Sequence, residues 1–232
     1  MKLPILAILA QSAQTLWQSP LQCLMAFWPS LIIATGLIIL DKTPLWTLPF
    51  AALNWPFVTV GSCAWHRHLI QGQPVRLRLG GAEWLYLKST LILSLIMAIP
   101  FFATNVVSDL AQPPAALAPI IDSLSMIVGL WMCATALMAL PANALGQTPD
   151  HDSQYALVTP HQTQIFMLIA VLVFVDLSLQ TWGASLRSPF DTIVQLILLP
   201  FLPLTVSSLS LTHLWLHANR ANEDQQKATV PG

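Results

Sequence analysis

Long apolar runs separated by short polar turns dominate this chain. A helix needs about twenty apolar residues to cross the hydrocarbon of a bilayer. Six stretches reach that length: 21–40, 45–65, 84–107, 119–140, 164–182 and 191–216. The fifth is the least interrupted, with unbroken hydrocarbon from Ile165 to Val175, and the second is the weakest because it carries Pro49, Asn54 and Pro56. Asp41-Lys42-Thr43-Pro44 closes the first run with a turn too polar to stay in lipid.

The ends follow other patterns. Leu6, Leu9, Ala13, Leu16 and Trp17 recur at helical spacing, while Gln11, Ser12, Gln14, Thr15 and Gln18 take the other side. This pattern predicts an amphipathic helix lying on the membrane surface. Met1-Lys2 and the apolar residues after them have the outline of a signal peptide. The run is short, however, and Gln11 stands where a cleavage site wants a small residue. The polar stretch from Ala218 is expected to be disordered. The predicted organisation is an interfacial helix over 1–19, a transmembrane domain over 20–217 and a cytoplasmic tail over 218–232. In fold class it is an all-α integral membrane protein, a six-transmembrane-helix bundle preceded by an N-terminal amphipathic interfacial helix.

Composition agrees. Hydrophobic residues make up 55% of the chain and charged ones 8%, against about a quarter charged in soluble domains. So few charges cannot cover so much apolar surface, and lipid is the simplest cover. A net charge of −1 without a basic domain gives nucleic-acid binding no electrostatic support. Cys23, Cys63 and Cys133 lie in apolar runs, and an odd number without short spacing describes reduced thiols.

Lysine and arginine placement sets the orientation. With six crossings, Lys2, Arg67, Arg76, Arg78, Lys88, Arg220 and Lys227 fall on one side, and Lys42 and Arg187 on the other. The richer side is the cytoplasm, which places both termini there. Trp17, Trp46, Trp65, Trp84, Tyr86, Trp182 and Trp215 fall near the predicted boundaries, as interfacial anchors do.

The most distinctive stretch is Trp65-His66-Arg67-His68, followed by Arg76, Arg78, Gly80-Gly81 and Glu83-Trp84-Leu85-Tyr86. It resembles a set of small, uncharacterised six-helix inner-membrane proteins of proteobacteria. These share a tryptophan-histidine-arginine run after the second helix and a glutamate-tryptophan pattern opening the third. More loosely, the chain is similar to the membrane domain of the glycerophosphodiester phosphodiesterase family. The catalytic barrel of those enzymes is absent, so the resemblance implies a membrane domain and no hydrolase activity.

Read from its residues, the same stretch is a clamp on anionic lipid headgroups or a partner site. Each of Arg67, Arg76, Arg78 and Lys88 gains roughly 1 kcal/mol near an anionic surface. Trp65 and Trp84 sit at headgroup depth in this reading, and Glu83 pairs with Arg67 or Arg78. A second candidate cluster lies toward the opposite face: Asp176 within the fifth run, Asp122 in the fourth, Asn105 and Asp109 closing the third, and Gln195 with Arg187 near the sixth. Carboxylates in hydrocarbon cost several kcal/mol and are functional hypotheses by default. This cluster supports a small-solute, ion or proton transporter, with Pro200 and Pro203 as a flexible element and neighbouring hydroxyls satisfying the freed carbonyls.

A third reading puts haem or metal between His66, His68, His213 and His217. His213 and His217 are one helical turn apart, whereas 66 and 68 point to different faces. That ligand set is weak, and no cofactor is expected. No nucleophile elbow, phosphate loop or HExxH site occurs in the sequence. The favoured expectation is a non-enzymatic multi-pass protein of the bacterial inner membrane. It would act in membrane or envelope homeostasis, or as the partner of another membrane protein or of its own copies.

Overall fold

The structure is a computed structural model that describes residues 2–40, 47–111, 117–148, 150–184 and 201–229. Among the described residues every regular element is helical. The elements are α1 (Ile5–Gln18), α2 (Pro20–Leu40), α3 (Thr47–Gln71), α4 (Gly81–Ala111), α5 (Ala118–Leu137), α6 (Ala139–Ala144) and α7 (His151–Val158). A single 3-10 turn (Thr159–His161) leads into α8 (Gln162–Ala184), and α9 (Phe201–Thr229) follows.

Breaks between helices have local causes. The backbone N–H of Gly72 donates to the carbonyl of His68 at 2.9 Å with φ +67, a left-handed cap that stops α3. Gly146 does the same service after α6 with φ +75. Asp150 opens α7 by accepting from both the backbone N–H and the hydroxyl of Ser153.

α3 is the inner helix and packs on α2, α4, α6 and α9; α1 lies against α9, and α5 bridges α4 and α8. Gly61 of α3 meets α2 so closely that an added Cβ would stand 2.4 Å from the carbonyl oxygen of Ala26. Close backbone approach through small residues is how helices associate where apolar burial gives no preference for protein over lipid.

Apolar side chains fill the interior and also cover much of the outside, and a set of hydroxyls lies among the buried residues. Trp28 and Ile32 of α2, Leu95 and Phe102 of α4, Leu124 of α5 and Phe174 of α8 are exposed. Ser12, Thr59, Ser62, Ser207, Ser208, Ser210 and Thr212 are buried. Two helices, Gly81–Val106 and Asp152–Asp176, are long and apolar enough to cross a membrane. The predicted first and fourth crossings contribute shorter apolar helices, Pro20–Ile33 and Ser123–Leu137. Parts of the second and sixth lie outside the described residues. Where described, α3 and α9 are the inner helices, and they spend polar side chains on one another.

Two details differ from the sequence reading. Ile8 and Ser12 of α1 are buried, with the Ser12 and Ser208 hydroxyl oxygens 3.0 Å apart, while Leu6 and Trp17 are 82% and 87% exposed. The small Ser12 lets α1 approach α9, and of the apolar stripe Leu9 and Leu16 pack half-buried on the bundle while Leu6, Ala13 and Trp17 are exposed. The tail is helical as far as Thr229 rather than disordered. Its Ala, Arg, Glu, Gln and Lys residues are good helix formers, and the next proline is Pro231.

Candidate functional site

Four consecutive residues at the end of α3 meet different partners, because each helical step turns about 100°. Trp65 points to α9, where its indole N–H donates to the Ser207 hydroxyl at 2.8 Å. His66 lies between α9 and α4, with Nδ1 2.6 Å from the Ser210 hydroxyl and Nε2 3.1 Å from the Tyr86 hydroxyl. Arg67 pairs with Glu83 in the first turn of α4. His68 Nδ1 donates to the carbonyl of Gln73 at 2.8 Å in the following loop.

The partners assign the tautomer of His66. The Ser210 hydroxyl donates to the carbonyl of Val206 at 3.0 Å, so it accepts from His66 Nδ1–H, and Nε2 accepts from Tyr86. Tyr86 is in turn hydrogen-bonded to Ser62. Both ring nitrogens of this fully buried imidazole are committed, which makes it a structural tie between α3, α4 and α9.

Glu83 organises the other side. Its Oε2 accepts from the backbone N–H of Gly80 at 2.9 Å, the back half of a capping box at the start of α4. Its Oε1 accepts from Arg67 and lies 3.4 Å from Arg78 Nε. The carboxylate is 1% exposed and carries two guanidinium groups.

Residues 72–80 connect α3 to α4 in an extended path held at several points. Gln73 is tied by His68, the backbone N–H of Val75 donates to Gln22 Oε1 of α2 at 3.1 Å, and Gly80 is tied by Glu83. Val75 itself is buried. Between these ties the loop and α3 border an open cavity of about 230 Å³ lined by Ala64, Arg67, Gln73, Pro74, Arg76 and Arg78. Three arginines and no acidic residue line this space.

The sequence reading groups Arg67, Arg76, Arg78, Glu83, Trp65 and Trp84 as one surface clamp. The structure brings the three arginines and Glu83 together and separates the tryptophans. Trp84 is 67% exposed, whereas Trp65 is fully buried among α2, α3 and α9 and so does not face outward. Its ring is large enough to reach the inner face of the bundle, and Ser207 satisfies its N–H there.

The four histidines do not form one ligand set. The His213 and His217 rings are 4.4 Å apart, but His66 is held by hydroxyls and His68 by the Gln73 carbonyl. Among the described residues no group of three or more His, Cys, Asp or Glu is placed to hold a metal ion. Asp176 is half-buried on α8 and has a polar partner, and Asn105 is exposed on α4. The side chains of Asp109 and Asp122, and the whole of Arg187, Gln195 and Pro200, lie outside the described residues.

The sequence reading notes the hydroxyls of α9 but misses their pairing with Trp65 and His66. Thr205, Ser207, Ser208, Ser210 and Thr212 each bond back to the carbonyl four residues earlier, whereas the carbonyls freed by Pro200 and Pro203 lie outside the described residues. Ser207 and Ser210, three apart and therefore on one face, also receive Trp65 and His66. Only that spacing hinted at a shared partner. A second cavity of about 290 Å³ has Asp150, His213, His217 and Arg220 among its lining residues.

No protein-family model, curated protein or solved structure matches this chain.

Proposed function

We propose that this chain is a non-enzymatic multi-pass protein of the bacterial inner membrane, with six crossings and both termini in the cytoplasm. Its arginine-lined cavity receives anionic groups at the cytoplasmic membrane surface, a role in membrane homeostasis. The observation that carries this reading is the convergence of Arg67, Arg76 and Arg78 on one cavity with no lining carboxylate. Guanidinium forks match phosphate oxygens in pairs, and anionic headgroups are the abundant phosphates at that surface.

The outward apolar belt on α2, α4, α5 and α8 supports a lipid environment. Contacts among the segments assigned to the cytoplasm support their lying at one end of the bundle. The backbone N–H of Leu3 donates to Gln164 at 2.8 Å, Asn143 donates to Ser89 at 2.8 Å, and Arg220 lies 3.5 Å from the carbonyl of Ser153.

Two measurements test the proposal. A cysteine introduced at Ser188 should react with an impermeant reagent in intact cells, and one at Thr148 only after the membrane is opened; equal labelling of both in intact cells overturns the six-span layout. Lipids recovered with the purified protein should be enriched in anionic species, and Arg76→Gln with Arg78→Gln should remove that enrichment. A recovered composition equal to the bulk membrane rejects the anion-binding role.

A further inference from the structure

We infer that the arginine cavity selects a phosphomonoester, a terminal phosphate carrying close to two negative charges, over the singly charged phosphodiester of ordinary headgroups. This rests on the anion-accepting role proposed above and names its ligand class.

Charge balance comes first. Arg67, Arg76 and Arg78 line the cavity, and Glu83 behind it is the single acidic partner of Arg67 and Arg78 among the described residues. Three positive charges less one leave two. A phosphomonoester carries about −1.5 to −2 at neutral pH, whereas a diester carries one charge and would leave a cation uncompensated.

Donor supply comes second. Arg67 reaches Glu83 through one terminal nitrogen, and Arg78 faces it through Nε, so the forked terminal nitrogens of Arg78 are not engaged by Glu83. Arg76 makes no ion pair among the described residues. A guanidinium offers five donors in a fixed fork, and the three terminal oxygens of a monoester can accept from several at once. A diester offers two such oxygens.

Preorganisation comes third. His68, Gln22 and Glu83 tie the loop on both sides of Arg76, so its backbone is already ordered before a ligand arrives. That lowers the entropic cost of binding. Glu83 is fully engaged and so does not swing in to neutralise the cavity. A volume of about 230 Å³ suits a headgroup, since sites that enclose a whole drug-sized ligand span roughly 300–1,000 Å³.

The same chemistry is offered by a lipid ending in a monoester and by a soluble phosphate, and the test separates them. Binding is measured on the full chain in phosphatidylcholine nanodiscs doped with phosphatidic acid, phosphatidylglycerol or cardiolipin, and in neutral detergent with inorganic phosphate or glycerol 3-phosphate. Phosphatidic acid should bind at least about tenfold more tightly than phosphatidylglycerol. Its affinity should fall as pH drops below about 6, where the second proton returns. Arg76→Gln and Arg78→Gln should each weaken it about tenfold or more while leaving the unfolding temperature within a few degrees.

Tight binding of phosphatidic acid with weak binding of the soluble phosphates identifies the lipid source, and the converse identifies a soluble ligand; either supports the inference. Equal affinity for phosphatidylglycerol, or preference for cardiolipin with no pH response, overturns the inference and leaves the anion-binding role standing. Absence of binding to every anion overturns both.

Discussion

Glu83 is the buried counter-ion of Arg67, and this pair joins the end of α3 to the first turn of α4. Its neighbour Arg78 meets the same carboxylate oxygen from the exposed side of the loop, with 65% of its side chain accessible. One acid thus holds an inner and an outer cation, and the two differ in what their loss should cost. Glu83→Gln leaves the Arg67 guanidinium buried without a counter-charge and should cost about 3–5 kcal/mol. Arg78→Gln removes a solvated, screened partner and should cost less than about 1 kcal/mol. Chemical unfolding in detergent measures both, and equal losses would show that Arg78, not Arg67, carries the pair.

Trp65 should respond to loss of its N–H. Trp65→Phe keeps most of the apolar ring but leaves the Ser207 hydroxyl without its donor. Destabilisation should be about 1 kcal/mol, and Trp65→Ala should reach about 3–5 kcal/mol. A neutral Trp65→Ala would mean that the ring lies on the surface, as its place at a helix end suggests.

Glycine substitutions should split in sign. Gly61→Ala drives a Cβ to 2.4 Å from the backbone of Ala26, which cannot move without α2, and should cost about 1–3 kcal/mol. Gly36→Ala meets nothing within 4 Å and should stabilise α2 by about 0.5–1 kcal/mol. Thermal scans of the two variants decide the matter, and a shift in the same direction would refute the close approach of α2 and α3.

Acid should weaken the fold at the far end of α9. Burial, helped by the Arg220 guanidinium, holds the His217 imidazole below its ordinary value near 6.5. The unfolded chain therefore takes up the proton more readily than the folded one. The resulting stability is complete above about 6.5 and is lost as pH falls through the folded value. His213, Asp150 and Arg220 share its cavity, so the test compares His217→Gln with the parent chain. The unfolding temperature of the parent should drop between about pH 7 and pH 5, and the variant should show a shallower slope. Identical slopes would place the titrating group elsewhere.

Hydropathy alone marked where helices run, because the run lengths and the polar turns that end them are local properties. α2, α4 and α8 begin and end within a few residues of the predicted runs, and Pro20, Gly72 and Gly81 punctuate the chain as their backbone chemistry requires. The grouping of Arg67, Arg76, Arg78 and Glu83 was also legible, since these residues lie close together in sequence at the α3–α4 turn. Facing was not. Whether Trp65 meets lipid or Ser207, whether Ser12 turns outward, and whether His66 reaches Ser210 depend on partners about 140 to 200 positions away. Periodicity gives a helix its stripes but does not say which neighbour lies against each one; α9 made that choice by placing its hydroxyls against α1 and α3.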